Sequence, residues 1–329
     1  MKFSLHSPAR NPAQVKERAQ TAEQLGFHAL FFADGHLNNL DPFQAMTVAS
    51  LQTSRLHFGI AATTMVYRDP TALACSAASA NEFARGRVML GVGTGDGSAY
   101  RLGRKATKLA DFAAGLETTR TLLQGHAIEV PRGKEGSGTV ALTVGQLPVP
   151  IYVAAVGPRS LRVAGQYADG IILATGFDLD VLEWARAQIA AGAKESGRSL
   201  SDIDIMLAGM ICVDHDGERA RDGIRRRLAN RAHHNFRFTL ETVPQEELAG
   251  VKTFMDAFDI SKPMEERSNP ALITDYLLQR FAIAGTPDEC AARIKILDEA
   301  GISHVLLTPP NSSFDEVMNL WGREVIPAC

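Results

Sequence analysis

The sequence predicts an α/β fold in which eight parallel strands, each followed by a helix, close into a (β/α)8 TIM barrel. Short apolar runs alternate with amphipathic helical segments along most of the 329 residues, and parallel strands require such helical crossovers. The runs are apolar almost throughout, which is typical of strands buried on both faces. An open doubly wound sheet is the competing topology. The count of eight strands and the absence of a mid-chain linker favour the closed barrel.

The individual elements are assigned from apolar spacing and from residues typical of helix ends. Gly26 ends the first helix, as glycine often does, and Asp41-Pro42 begins the second as N-cap and first helical residue. The predicted strands are Lys2–Leu5, Ala29–Phe32, Leu56–Ala62, Val88–Val92, Ile151–Ala155, Gly170–Ala174, Ile203–Val213 and His304–Leu307. Besides the helix that begins at Pro42, the predicted helices include Pro12–Leu25, Pro70–Phe83, Leu109–Leu123, Ser160–Tyr167, Leu179–Ser196, Leu272–Ile283, Pro287–Ala300 and Phe314–Glu324.

Two segments interrupt the alternation of strands and helices. Residues 125–147 are rich in Gly, Thr and Val, and they predict a small hairpin inserted before the fifth strand. Residues 218–269 offer helical stretches and no clear strand, which predicts a helical insertion after the seventh strand. We expect this second insertion to cover the site and to influence substrate choice. We expect residues 1–329 to form one domain.

Composition excludes several classes of protein. Apolar residues make up 45% and charged residues 22%, with a formal net charge of −3, so no global charge favours a nucleic-acid or membrane partner. No apolar stretch reaches the length of about 18 residues that a membrane helix needs. The four cysteines form no C-x-x-C pair, which is typical of a reducing compartment without disulfides or a zinc site. We expect a cytoplasmic protein without a metal.

Residues able to transfer protons follow the predicted strands, at the end where barrel enzymes place their chemistry. His6 follows the first strand, His36 the second and Asp96 the fourth. Because imidazole and carboxylate groups can act as acids or bases near neutral pH, these three are the candidate catalytic residues. The adjacent His233 and His234 lack the spacing of a helical metal site, so we expect them at the surface.

Two glycine-containing loops predict a binding site for an anion. Gly93-Thr94-Gly95 follows the fourth strand and lets backbone N–H groups approach a ligand closely. Gly157-Pro158-Arg159-Ser160 begins the fifth helix, where free N–H groups and an arginine favour negative charge. Together they suit a large ligand with a phosphorylated tail.

Several of these segments, taken in order, carry a resemblance to a known family. The most specific are EFARGRVMLGVGTGD at residues 82–96 and PVPIYVAAVGPRSLRVAGQYADGIIL at residues 148–173, followed by AGTPDE and AGISHVLL near the C-terminal end. The chain resembles the luciferase-like superfamily of flavin- and deazaflavin-dependent oxidoreductases. Within it, the sequence is most similar to methylene-tetrahydromethanopterin reductase-like proteins.

The resemblance implies a barrel enzyme with a flavin or deazaflavin ring across the strand ends and a non-proline cis peptide at Ala61-Ala62. It also implies a homodimer and a small-molecule substrate. The candidate cofactor-binding residues, including those taken from the two loops and the strand ends, are Asp34, Ala61, Ala62, Thr63, Thr94, Gly95, Val156, Gly157, Arg159, Thr175 and Gly176.

The sequence departs from the reductases where a substrate proton would be handled. They have an acidic residue near the position of His6, and they read Asp-His where this chain has Asp34-Gly35-His36. Three hypotheses follow. The first is hydride transfer dependent on the deazaflavin coenzyme F420, the second a reduced-FMN-dependent monooxygenase, and the third a non-catalytic flavin-binding protein.

Overall fold

The centre of the fold is a closed barrel of eight parallel strands, as predicted. The computed structural model describes residues 1–95, 97, 99, 102–131, 136–262 and 266–329, without the side chain of Arg226. The strands are β1 (Lys2–Ser7), β2 (Ala29–Phe32), β3 (His57–Ile60), β4 (Thr63–Thr64), β5 (Val88–Gly93), β6 (Ile128–Pro131), β7 (Ser137–Val140), β8 (Ile151–Ala155), β9 (Gly170–Leu173), β10 (Asp204–Val213), β11 (Ala282–Gly285) and β12 (His304–Thr308). The barrel order is β1-β2-β3-β5-β8-β9-β10-β12, and β12 closes the barrel by pairing with β1.

Helices surround the barrel and follow most of its strands. They are α1 (Pro12–Gln24), α2 (Pro42–Ser50), α3 (Pro70–Phe83), α4 (Leu109–Leu123), α5 (Pro158–Tyr167), α6 (Leu179–Glu195), α7 (Gly217–Thr239), α8 (Leu248–Ala257), α9 (Asp275–Phe281), α10 (Pro287–Glu299) and α11 (Phe314–Leu320). Asp41 caps α2 through its side chain, and Pro42 is the first helical residue, as predicted. No helix in the described ranges is long and apolar enough to cross a membrane.

The interior of the barrel is filled by side chains that alternate with those facing the helices. The inward set is Ala29, Phe31, Met89, Tyr152, Ile172, Met206, Ala208 and Leu306. The outward apolar residues pack against the helices in a larger core. Because successive residues of a strand point to opposite faces, one apolar run serves both layers.

Both insertions have the predicted character. In residues 125–147, β6 and β7 form an antiparallel hairpin. The second insertion contains α7 and α8, so its helical prediction is confirmed for the described residues.

Three element predictions need correction. Leu272–Ile283 is not one helix, because α9 ends at Phe281 and Ala282–Gly285 forms β11, which pairs with the last residues of β10. That strand depends on a partner distant in sequence, which apolar spacing does not reveal. The third strand ends at Ile60, and a short strand, β4, follows the Ala61-Ala62 peptide. The last α-helix ends at Leu320 and continues as a π-helical turn.

Candidate functional site

A cavity of about 850 Å³ opens at the C-terminal ends of the barrel strands. This volume suits a cofactor or a drug-sized ligand. A second cavity, of about 860 Å³, lies beside Ile151 and Asp169 at the N-terminal ends of β8 and β9. Because barrel enzymes carry their chemistry at the C-terminal ends of the strands, the first cavity is the candidate site.

The floor of this cavity is made of very small residues. Ala61, Ala154 and Ala174 lie directly above the inward apolar layer and also line the cavity. A Cβ atom placed on Gly93 would lie 3.6 Å from the Cβ of Ala154 and 3.8 Å from that of Ala62. The floor therefore offers a shallow apolar surface on which a planar ring can lie. The Ala61-Ala62 peptide within it is cis, as the resemblance implied.

One side of the cavity carries groups suited to an anion. Gly157 is the N-cap of α5 with Pro158 as the first helical residue, and no side chain caps this end. Arg159 is exposed and lines the cavity. Thr94 and Gly95 follow the neighbouring strand β5 and also line the cavity, and the φ of 88° at Gly95 favours glycine. The two loops predicted from the sequence therefore meet at one cavity.

Asp34 is held in place by its neighbours at the cavity wall. Its carboxylate accepts hydrogen bonds from Thr63 Oγ1 at 2.6 Å and from Arg68 Nε at 3.0 Å. Arg68 also donates to Asp41 at 2.8 Å. Burial would lower the pKa of Arg68, but the hydrogen bonds to Asp34 and Asp41 outweigh it and raise the pKa. Asp34 and Thr63 both line the cavity, and their side chains are hydrogen-bonded to each other.

His6 lies near the end of β1 beside the backbone of Ala61, a floor residue, and is itself not among the described lining residues of the cavity. Its Nε2 is buried and has no hydrogen-bond partner among the described residues. Burial lowers the pKa of His6 to about 4, and the positive charge of Arg231 adds to this effect, while a hydrogen bond with the Ala61 backbone opposes it. His6 is therefore a neutral imidazole at pH 7.

The other predicted residues are distributed unevenly around the site. Val156 lines the cavity. His36 is exposed, stacks on Tyr67 with ring centroids 4.6 Å apart, and is not among the lining residues described. Thr175 and Gly176 also lie outside the described lining, and Gly176 packs against the backbone of Arg280. Asp96 falls outside the residues that the structure describes.

A whole wall of the cavity was missed by the sequence reasoning. It comes from one face of α7, and its residues are Asn230, Arg231, His234, Asn235 and Phe238. His233 and His234, which we expected at the surface, are both partly exposed; His234 lines the cavity, and His233 stacks on Phe258. The spacing of one, three, one and three residues places all five on one helical stripe. This stripe is visible in the sequence. A polar stripe can face either a cavity or solvent, so the pattern alone does not place it at the site.

Comparison with known proteins gives a consistent family relationship. A family model described as luciferase-like monooxygenase matches residues 1–304. A 5,10-methylenetetrahydromethanopterin reductase from Methanolobus tindarius is 29% identical, over 99% of this chain and 100% of the relative. An F420-dependent glucose-6-phosphate dehydrogenase from Rhodococcus jostii is 27% identical, over 99% of this chain and 98% of the relative.

The fold is also shared with a solved structure. The coenzyme F420-dependent tetrahydromethanopterin reductase from Methanopyrus kandleri superposes with a TM-score of 0.78 at 24% identity. The match covers 99% of this chain and 98% of that chain. The similarity therefore extends through both insertions.

Proposed function

Because this chain belongs to the luciferase-like monooxygenase family and is a flavin- or deazaflavin-dependent oxidoreductase, we propose that it uses coenzyme F420 to transfer hydride to or from a small organic substrate. The observation that carries the proposal is the form of the cavity, a small-residue floor with an uncapped helix N-terminus at its side. The F420 dependence of the relatives favours the deazaflavin over FMN. A bound deazaflavin would supply the hydride chemistry, and the protein binds and orients.

The residues of the floor and the two loops fit such a cofactor. Ala61, Ala62 and Ala154 line the cavity and leave space for a planar ring, because their side chains end at Cβ. Free N–H groups at Gly157 and the charge of Arg159 suit the phosphorylated tail. Thr94 and Gly95 face the same space.

We assign proton handling to His6 in preference to His36. The Nε2 atom of His6 is buried and unpartnered at the level of the floor, where it can donate or accept a hydrogen bond. His36 is exposed and stacked on Tyr67. Asp34 is engaged by Thr63 and Arg68, so we assign it the role of holding the floor beside the ring. The homodimer and the cytoplasmic location stay predictions.

A titration of the full chain with F420 and with FMN, side by side, tests the cofactor assignment. We expect F420 to bind at least about tenfold more tightly, a difference of about 1.4 kcal/mol. Tighter binding of FMN, or its retention through purification, would replace the deazaflavin by a flavin and favour a monooxygenase. Binding of neither would contradict the proposal altogether.

Two glycine variants test the position of the cofactor. In Gly95→Ala the new Cβ would collide with Thr64 and Val66 beside the cavity, and φ there is 88°. Gly197→Ala is the matched control, because its φ is 71° and its Cβ would meet no atom within 4 Å. Both changes strain the backbone by about 1 kcal/mol. Only Gly95→Ala should lower cofactor affinity, and equal affinity in both variants would move the cofactor away from this loop.

A further inference from the structure

Helix α7 forms one wall of the cavity and extends between two of its ends. At one end Arg231 Nη1 donates to the carbonyl of Ala208 on β10, at 3.3 Å. At the other end Phe238 packs on Gly157, where an added Cβ would lie 3.3 Å from the Phe238 Cβ. The seven-residue step from Arg231 to Phe238 corresponds to a rise of about 10 Å along a helix.

The barrel order separates these two ends by two to three strands. β10 and β1 are the seventh and first strands of the closed barrel, whereas β5 and β8 are the fourth and fifth. The anion-binding loops follow β5 and β8. Arg231 therefore lies two strands around the barrel from Gly157 and Arg159, at an end of the cavity that a cofactor tail bound at those two residues would leave open.

Arg231 is a partly buried cation without an anionic partner among the described residues. It lines the cavity. A guanidinium has five N–H donors, and among the described residues Arg231 donates to the carbonyl of Ala208, at 3.3 Å. No carboxylate in the described part of the chain pairs with it. Burial lowers the pKa of Arg231 to about 10, so the guanidinium is still charged at pH 7. A charge withdrawn from water without a partner is costly, which is the situation a ligand of opposite charge relieves.

The described groups around Arg231 add no negative charge to its surroundings. Neighbouring His6 is neutral at pH 7. The Nε2 of His6 and the Oδ1 of Asn235 are buried without hydrogen-bond partners among the described residues. Asp34, the carboxylate in the cavity wall, is already paired with Arg68. This end of the cavity thus offers one positive charge to an anion, while Asn235 Oδ1, an acceptor, suits a hydrogen-bond donor elsewhere on the ligand.

We propose that Arg231 binds the substrate and that this substrate carries a carboxylate. The planar fork of a guanidinium matches the two oxygens of a carboxylate with two parallel hydrogen bonds. A single cation beside a neutral imidazole balances one negative charge, whereas a phosphate monoester brings nearly two. The inference rests on the proposed function only in calling the bound molecule a substrate.

Binding of benzoate, benzamide and phenyl phosphate to the full chain, loaded with the cofactor it retains, tests this proposal. The three probes share a ring and differ in charge. Affinities come from saturation-transfer NMR on the wild type, Arg231→Gln, Arg231→Lys and the control Arg219→Gln. Arg219 lies on the same helix but is exposed and paired with Asp214. Cofactor affinity is measured on the same preparations.

We expect benzoate to bind the wild type and Arg219→Gln about tenfold more tightly than benzamide, consistent with a charge-assisted pair. Arg231→Gln should abolish this preference, and Arg231→Lys should retain part of it. Equal affinities for benzoate and benzamide in the wild type, or a preference that survives Arg231→Gln, would overturn the proposal. Arg231-dependent binding of phenyl phosphate that is tighter than that of benzoate would overturn the carboxylate class.

The cofactor measurements separate this inference from the proposed function. Arg231→Gln should leave cofactor affinity unchanged within about twofold, which is below 0.5 kcal/mol. A parallel loss of cofactor and benzoate binding would make Arg231 a cofactor contact and overturn the inference. If the wild type binds neither F420 nor FMN, the proposed function fails, while Arg231-dependent benzoate binding by the unloaded chain would still support a carboxylate site.

Discussion

His304 Nδ1 lies 2.9 Å from Asp204 Oδ2 at the N-terminal end of the barrel, opposite the cavity. The other ring nitrogen of His304 lies 2.8 Å from Ser4 Oγ, and the hydroxyl of Tyr152 donates to the same Asp204 oxygen at 2.7 Å. This order of serine, histidine and aspartate occurs in hydrolases. Here Ser4 and His304 are completely buried, so no substrate can reach the hydroxyl, and the network closes the base of the barrel.

The first prediction concerns the stability that Asp204 provides. Burial would raise the pKa of Asp204, but hydrogen bonds from His304 and Tyr152 outweigh it and lower the pKa to about 2. A depressed carboxylate pKa stabilises the fold above its ordinary value of 3.8, and this stabilisation is lost as pH falls from about 4 to 2. Asp204→Asn should lower the free energy of unfolding at pH 7 by about 2 kcal/mol and flatten this acid-side loss.

Urea unfolding at pH 7 and at several acid pH values checks the prediction. Tyr152→Phe is the companion variant, because it removes one of the two hydrogen bonds and leaves the charge. We expect it to cost about 1 kcal/mol. A variant Asp204→Asn as stable as the wild type at pH 7 would show that the network contributes nothing.

The second prediction concerns a neighbouring histidine pair. His28 stacks on His57 with ring centroids 4.6 Å apart and meets the edge of the His304 ring. Burial lowers the pKa of His28 to about 4, and the charges of His57 and His304 act in the same direction. Burial also lowers the pKa of His57.

A histidine held neutral in the fold takes up its proton more readily when unfolded, so stability is lost as pH falls from about 6.5 towards 4. His28→Phe keeps an aromatic ring without a titrating group. Between pH 7 and 5 we expect the melting temperature of His28→Phe to fall less than that of the wild type. The corresponding difference in the free energy of unfolding is about 1 kcal/mol after allowance for solvent exposure. Parallel melting curves across this range would contradict the assignment.

Local patterns were sufficient to predict the barrel and the two glycine-containing loops that meet at one cavity. The loops at Thr94 and Gly157 follow buried strands directly, and parallel strands bring all such loops to one end. The α7 wall could not be placed in this way. A polar helical stripe can face either water or a cavity. The position of Arg231 beside the barrel could therefore be assigned only from its contact with Ala208. The position of His36 after a strand likewise does not reveal that its ring is exposed and stacked on Tyr67.

The third prediction concerns the floor of the cavity. Ala62 lines the cavity and is partly exposed within it, so a larger side chain there extends into open space. Ala62→Leu should weaken cofactor binding by about tenfold or more, equivalent to at least about 1.4 kcal/mol. Its effect on the melting temperature should be smaller. Ala72→Leu, at an exposed position of α3, is the control. Unchanged cofactor affinity in Ala62→Leu would show that the ring does not lie on this floor.

The fourth prediction follows from the charge of Arg231 next to His6. Removing this charge in Arg231→Gln should raise the pKa of His6 above 4, while burial, the larger cause, keeps it below 6.5. Histidine ¹H–¹³C NMR signals followed against pH give this value directly. Arg219→Gln should leave it unchanged. A His6 signal with the same pKa in both variants would show that Arg231 does not act on the imidazole.

The last prediction addresses how Asp34 supports the site. If Asp34 acts through Thr63, with which it shares a 2.6 Å hydrogen bond, then Asp34→Asn and Thr63→Val should each weaken cofactor binding, and the double variant should weaken it less than the sum. Residues in contact show coupling energies of about 0.5–3 kcal/mol in such a cycle. Arg68 keeps Asp41 as a partner in each variant, so the loop retains an ion pair. Additive losses would mean that Asp34 and Thr63 contact the cofactor separately, and Asp34 would then regain the direct binding role that its sequence position first indicated.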